Sequence, residues 1–301
     1  VDASVEFVKS LLPSVVNVRA SVPRQHPSAR ILGDERMGSG LVVDGGGLIL
    51  TVNYVVMGAS TIDVTPFKGR RARAELVAQD FEVGLALLRV KRQGLTAARL
   101  GATRAPERGD PVVAVASLSA QEPRVAGGLV TYLGEFEAYW EFLLDRGIVS
   151  SAPNPGNGGG GLFTMSGRAL GVLYLNLNEV GRASLAIPIE FYSEHAAEWL
   201  RYGRVVSRPR RAWLGVFAHA LEEGVIVMGI VPGGPGDKGG LREGDLIVSL
   251  NAQEVGSRRE LYLSLWRHEP GEKLTFEVMR DNAVRRLEVT GGDRAEFFRQ
   301  I

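Results

Sequence analysis

The 301-residue sequence contains no cysteine. That excludes disulfides, thiolate nucleophiles and cysteine-ligated metals. It has almost no excess charge of either sign: 35 Lys and Arg oppose 34 Asp and Glu, for a net +1. There is thus no electrostatic case for a nucleic-acid partner. Histidine is scarce, with only His26, His195, His219 and His268. No HExxH, clustered-histidine or phosphate-loop pattern appears, so neither metal nor cofactor is expected. No apolar run approaches the roughly 20 residues needed to cross a membrane. The opening VDASVEFVKS lacks the basic start and apolar core of a secretory signal.

What is present is a chain with 45% hydrophobic and 23% charged residues, long enough for two or three domains. Val5, Val8, Leu11 and Leu12 recur at helical spacing before Pro13, which predicts a short amphipathic helix over 1–12. Short strands follow, at 14–20, on both sides of the Asp44–Gly47 turn, and at 62–66, 73–79, 85–90, 112–116, 127–133, 170–175 and 185–187. Residues 22–36 are polar and read as a loop, with His26 solvated. Strands separated by turns, without helical crossovers, predict antiparallel barrels. A helix is predicted over 190–202, with Tyr192, Ala196, Trp199 and Leu200 on its apolar face and Gly203 as its stop. The basic run 204–211, RVVSRPRR, reads as a linker.

The stretch NPGNGGGGL, Asn154 to Leu162, resembles the nucleophile loop of HtrA/Deg-type trypsin-like serine proteases, written NPGNSGGPL in that family. PSVVNV, GSGLVVDGGGLILTVNYVV, VGLALLRV, GDPVVAV, RVAGGLV and LAIPI occur in family order, and WLGV with GVIVMGIVPGGPGDKGGLREGDLIVSLNAQEV looks like a PDZ domain. The resemblance covers nearly the whole chain. It implies a mainly β fold: a trypsin-like double β-barrel domain over 1–203, a linker over 204–211 and a PDZ domain over 212–301. It also implies an extracytoplasmic location, with room for a signal or anchor ahead of Val1.

Residue by residue, the resemblance puts Tyr54 at the general-base histidine, Gly84 at the orienting aspartate and Gly158 at the nucleophilic serine. Gly161 stands at the family's proline. A neutral phenol, with an ordinary pKa near ~10, is a poor base at neutral pH. No catalytic residue is therefore assigned. Tyr54 reads as a plug for the space left by Gly84 and Gly158. The oxyanion hole is implied to use the backbone N–H groups of Gly156 and Gly158, which need no side chains. Ser150 and Ser151 lie nearby without a visible base.

In the PDZ region the resemblance assigns Trp213, Leu214, Gly215 and Val216 to the loop that receives a peptide's terminal carboxylate. Ser257-Arg258-Arg259-Glu260 has a capping-box pattern that starts a helix, and Leu261 and Leu265 on that helix are read as the groove's other wall. Arg210 and Arg211 precede the loop and are placed to attract an acidic terminus. The expected function is that of an inactive HtrA-like protein binding peptides or protein C-termini as scaffold, sensor or regulator, as a homotrimer or with an active paralogue. The alternative is an endopeptidase with displaced or partner-supplied catalytic residues.

Overall fold

The computed structural model describes residues 3–91, 94–101, 104–177 and 181–299. Contacts divide the chain into two compact units: residues 1–135 with 145–206, and residues 136–144 with 207–301.

The first unit opens with α1 (Ala3–Leu11). A closed six-stranded barrel follows: β1 (Val15–Ser21), β2 (Glu35–Val42), β3 (Leu48–Val52), β4 (Thr61–Thr65), β5 (Ala72–Asp80) and β6 (Leu85–Val90), in the order β1-β2-β3-β6-β5-β4. The β2–β3 turn is built by Asp44, whose Oδ1 accepts the Gly46 and Leu48 N–H groups at 3.0 and 2.8 Å. Gly47 there sits at φ +108°, a region closed to most side chains. Val16, Val18, Leu41, Ile49, Leu50 and Leu87 are fully buried in this barrel, each removal of such a side chain from water being favourable by about 1.5–3 kcal/mol.

Residues 22–36 are not all loop. Pro27–Leu32 forms α2, with Pro27 in its first turn. His26 is its N-cap: the ring Nδ1 accepts the Ser28 N–H at 3.2 Å. His26 is buried rather than solvated, because the ring satisfies a helix donor and packs over Gly58, where a side chain would overlap it.

The second sheet contains β7 (Arg99–Leu100), β8 (Pro111–Ser119), β9 (Glu122–Ala138), β10 (Phe142–Ser150), β11 (Gly161–Thr164), β12 (Arg168–Asn176) and β13 (Ser184–Pro188). The order is β11-β8-β9-β10-β13-β12-β7, with β11 also paired to β12, which closes the path on itself. The predicted helix over 190–202 is two pieces, α3 (Glu190–Ser193) and α4 (Ala196–Tyr202). His195, at φ −122° and ψ 10°, interrupts it, and Gly203 ends it in the left-handed conformation. Tyr192 and Trp199 turn inward and meet edge-on at 5.7 Å, whereas Leu200 faces solvent.

The second unit is a sheet of β14 (Val216–Leu221), β15 (Gly224–Ile230), β16 (Leu246–Leu250), β17 (Gln253–Glu254), β18 (Lys273–Arg280) and β19 (Ala283–Thr290). The path runs β14-β15-β16-β18-β19, with β17 paired to β16. Helix α5 (Arg258–Leu265) starts where the capping pattern predicts: the Ser257 hydroxyl accepts the Glu260 N–H at 3.1 Å, and the Glu260 carboxylate reaches back to the Gly256 N–H at 2.8 Å. Leu214, Val225, Ile247, Leu261, Leu265 and Phe276 belong to its core. Near the C-terminus, Arg294–Arg299 forms α6.

Candidate functional site

Two sites follow from the sequence: the degenerate triad in the first unit and the amide loop before β14 in the second.

The short turn Asn53–Val56 after β3 presents Tyr54. Its hydroxyl donates to the Tyr174 carbonyl on β12 at 2.7 Å, and its ring meets the Tyr174 ring edge-on at 5.5 Å. The hydroxyl end is enclosed, and that burial pushes the phenol up to about 12, while a hydrogen bond from the Gly158 backbone pulls it down. A side chain at Gly158 would overlap the Tyr54 hydroxyl and lie 2.6 Å from the Tyr174 carbonyl oxygen. Gly84 has φ +80°, and an added Cβ there would lie 2.8–3.0 Å from the Tyr174 ring and hydroxyl. The filling is shared: Tyr54 takes the space at position 158, and Tyr174, which the sequence reading did not single out, takes the space at position 84.

Asp80 is engaged by the backbone. Its Oδ1 accepts the Glu82 and Val83 N–H groups at 3.0 and 3.2 Å and so holds the turn leading into Gly84. The glycine loop is ordered by its neighbours. The Gly156 N–H donates to Asn154 Oδ1 at 3.2 Å. The Gly158 carbonyl accepts the Ser39 N–H at 2.9 Å, and the Gly159 N–H donates to the Leu173 carbonyl at 2.7 Å. Side chains at Gly159 or Gly160 would run into the Ser39 or Val115 carbonyls. Of the two amides assigned to the oxyanion hole, the Gly156 N–H thus has a partner within the chain.

Ser150 points to Ser184 and the Ala152 carbonyl, and Ser151 accepts the Leu129 N–H. A serine–histidine contact does exist, Ser28 Oγ to His26 Nδ1 at 2.7 Å. Ser28 is fully buried and its hydroxyl also donates to the Met57 carbonyl at 3.0 Å, so no substrate carbonyl can reach it.

In the second unit, three of the four amide-loop residues converge. The Gly215 and Val216 N–H groups donate to Glu141 Oε1 at 2.7 and 2.9 Å, and the Leu214 N–H donates to Oε2 at 3.1 Å. Trp213 does not join them. Its N–H donates to the Gly292 carbonyl, and its ring packs on Phe297 and Phe298. Burial pushes the Glu141 carboxyl up; the Arg294 charge and the three N–H groups pull it down, and burial prevails.

The cation at this loop is Arg294, whose guanidinium donates to the Trp140 and Glu141 carbonyls at 2.8 and 2.9 Å. Arg210 is instead paired with Asp293 and Glu296, and Arg211 lies over the Trp266 ring. Leu261 and Leu265 are fully buried in the core. Toward residues 136–144, α5 presents Tyr262 and Arg258. Tyr262 donates to the Ala138 carbonyl at 2.7 Å and accepts the Glu141 N–H at 3.1 Å; Arg258 contacts Glu137 at 2.9 Å. Residues 136–144 match no site motif in the sequence. Their available signal was the aromatic density of FEAYWEF, out of place at an exposed hairpin tip.

Residues 38–172 match the trypsin-like peptidase domain family, and residues 212–290 match the PDZ domain family. A probable periplasmic DegP-like serine endoprotease of Ectopseudomonas mendocina is 30% identical over 92% of this chain and 61% of its own length. Its counterpart in Hahella chejuensis is 33% identical over 81% of this chain and 54% of its own length. The chain therefore spans little more than half the length of these curated relatives. Serine endoprotease DegS of Haemophilus influenzae is 27% identical over 94% of this chain and 85% of its own length. Among solved structures, the HtrA-type protease AlgW with tripeptide superimposes with a TM-score of 0.60 at 26% identity, covering 97% of this chain and 98% of that one. The serine endoprotease from Yersinia pestis, at 24% identity and a TM-score of 0.58 over 97% of this chain and 98% of that one, shares the fold. Barrel order, glycine loop, PDZ sheet and these relatives agree: the chain joins a trypsin-like peptidase domain to a PDZ domain and is a homologue of DegP, DegS and HtrA-type serine proteases.

Proposed function

We propose that this protein is a catalytically silent member of its family, and that its function is to bind peptides or unfolded segments through the PDZ domain. The observation that carries this reading is the Tyr54 hydroxyl in the space a residue-158 side chain would need. Acyl transfer needs a nucleophile, a base that accepts its proton and an orienting partner, acting as one hydrogen-bonded unit. Here a phenol held up to about 12 faces a glycine, and the third position is a glycine packed against a second tyrosine. Even an intact oxyanion hole retains only ~10³–10⁴-fold over water without the triad, and the Gly156 N–H assigned to it already donates to Asn154 Oδ1.

The amide loop, by contrast, keeps the chemistry of carboxylate recognition. Three successive N–H groups point at one pair of oxygens, which suits a peptide C-terminus that adds as a strand. The relatives' periplasmic naming supports an extracytoplasmic setting, where unfolded clients or an active paralogue are available partners. The test is casein digestion together with fluorophosphonate labelling of the homogeneous protein. No hydrolysis and no adduct are expected. An adduct mapped to a residue of this chain would overturn the reading in favour of displaced catalytic residues.

A further inference from the structure

The carboxylate seat of the PDZ unit is filled from within the chain. The segment 136–144 is grouped by its contacts with residues 207–301, and its turn lies alongside β14, joined to it by a backbone hydrogen bond. The Ala218 N–H donates to the Tyr139 carbonyl at 2.7 Å, and two residues later the Glu141 side chain meets Leu214, Gly215 and Val216. Moving from Tyr139 to Glu141 therefore moves backwards along β14, so the segment is antiparallel to it. Its other side is held by α5, through Arg258 to Glu137 and Tyr262 to Ala138.

An interior residue has no terminal carboxylate to offer. Glu141 resolves this with a backbone turn at φ +54°, a conformation rare for a residue with a side chain. The main chain leaves the groove there and the side-chain carboxyl enters it. Glu141 is buried at 2% exposure. A buried acidic group survives only where its oxygens are satisfied; three loop N–H groups donate to these two oxygens, while Tyr262 and Arg294 hold the Glu141 backbone N–H and carbonyl.

We infer that residues 136–144 are a built-in ligand of the groove between β14 and α5, that Glu141 occupies the seat of a peptide's terminal carboxylate, and that a free C-terminus enters only by displacing it. The inference rests on the peptide-binding reading above and names its regulation: the same three N–H groups cannot serve both occupants.

The experiment uses the full chain and two readouts. Amide hydrogen exchange at Leu214, Gly215 and Val216 needs no peptide. Those amides are expected to be protected in the wild type and to exchange at least ~10-fold faster in Glu141→Ala, a factor equivalent to about 1.4 kcal/mol of opening free energy. Glu141→Gln keeps the side chain's size and serves if the alanine variant fails to fold; its NH₂ group faces N–H donors, so a smaller acceleration is expected. The second readout is binding of hexapeptides ending in Val, Leu, Ile or Phe, with a free or an amidated C-terminus. Free-carboxylate peptides are expected to bind Glu141→Ala at least ~10-fold more tightly than wild type, with no such gain for the amides. Unchanged exchange would overturn the inference and leave the peptide-binding reading standing. Faster exchange with equal peptide affinity in wild type and variant would overturn it as well. Faster exchange with no peptide bound by either protein would overturn the peptide-binding reading itself, and with it the displacement.

Discussion

The Tyr54 hydroxyl and the Tyr174 carbonyl are 2.7 Å apart, and their rings meet edge-on at 5.5 Å. On the function proposed above, this pair explains why tyrosine at 54 and glycine at 84 and 158 belong together. Removing a histidine, an aspartate and a serine from a packed cleft leaves a void, and interiors do not tolerate voids well. Tyr54 closes one end over Gly158 and Tyr174 closes the other over Gly84. The space at both positions is filled, so side chains placed at 84 or 158 meet a tyrosine.

Restoring the family residues as Tyr54→His, Gly84→Asp and Gly158→Ser is accordingly expected to give no fluorophosphonate labelling above background. The aspartate replacing Gly84 would need φ +80° and would press on the Tyr174 ring. The serine replacing Gly158 would still lie against the Tyr174 carbonyl, 2.6 Å from the added Cβ. Displacements of about 1 Å in such a constellation cost ~10²-fold in rate. Efficient turnover by the triple variant would show that the cleft relaxes readily and that only side chains were missing.

The Tyr54 phenol gives a pH prediction with a definite sign. Its folded value of about 12 lies above the unfolded ~10. Below about pH 10 neither state ionises and stability is unaffected. Between about pH 10 and 12 the unfolded chain loses the proton and the native state keeps it, so stability falls, by up to about 2–3 kcal/mol from this group. Denaturant midpoints taken across that range should drop less steeply in Tyr54→Phe. The Phe variant itself should lose about 1 kcal/mol at neutral pH, the usual net worth of the lost hydrogen bond. Parallel curves for the two proteins would place the phenol in solvent.

Arg280 and Asp245 provide a test of the second unit's own stability. The guanidinium contacts both carboxylate oxygens at 2.6 Å, and Asp245 is fully buried while also accepting the Arg242 N–H at 2.8 Å. The Asp245 hydrogen bond and charge hold Arg280 above its ordinary value. Asp245→Ala strands the arginine and a backbone donor, and should destabilise by about 3–5 kcal/mol. Double replacement with Arg280→Met should recover part of that loss. A single variant that melts with the wild type would show that water replaces the carboxylate at no cost.

Much of the fold was legible because its signals are local. The Asp44 turn, the Gly203 stop and the Ser257 cap each act within four residues, and the glycine loop announces itself in nine. His26 was misread because polar neighbours said loop, whereas its ring is a helix cap closed over by Gly58. Leu261 and Leu265 were read as groove wall, since helical spacing does not separate a groove face from a core face; both are core. Tyr174 and Glu141 were missed for a different reason. Their partners are 120 and 73–75 positions away in sequence, and a glutamate in a hairpin carries no mark of the amides it will meet.

Tyr262→Phe isolates the link between α5 and the segment that fills the groove. The ring is fully buried and stacked on Trp266 at 5.4 Å, so the phenylalanine keeps the packing. What disappears is one hydroxyl that donates to the Ala138 carbonyl and accepts the Glu141 N–H. Both groups would then be buried without that partner, and orphaned buried polar groups cost about 1–3 kcal/mol each. Burial, with the nearby Glu141 carboxyl, already holds the Tyr262 phenol above its ordinary range, so the hydroxyl stays protonated and able to donate throughout the neutral range. The variant should therefore lose about 1–3 kcal/mol in equilibrium denaturation. Its Gly215 and Val216 amides should exchange faster than wild type, because Glu141 sits on the same backbone turn that Tyr262 braces. A core role for the ring alone predicts neither effect. Unchanged stability with unchanged exchange would show that the hydroxyl is not what holds this segment against the helix.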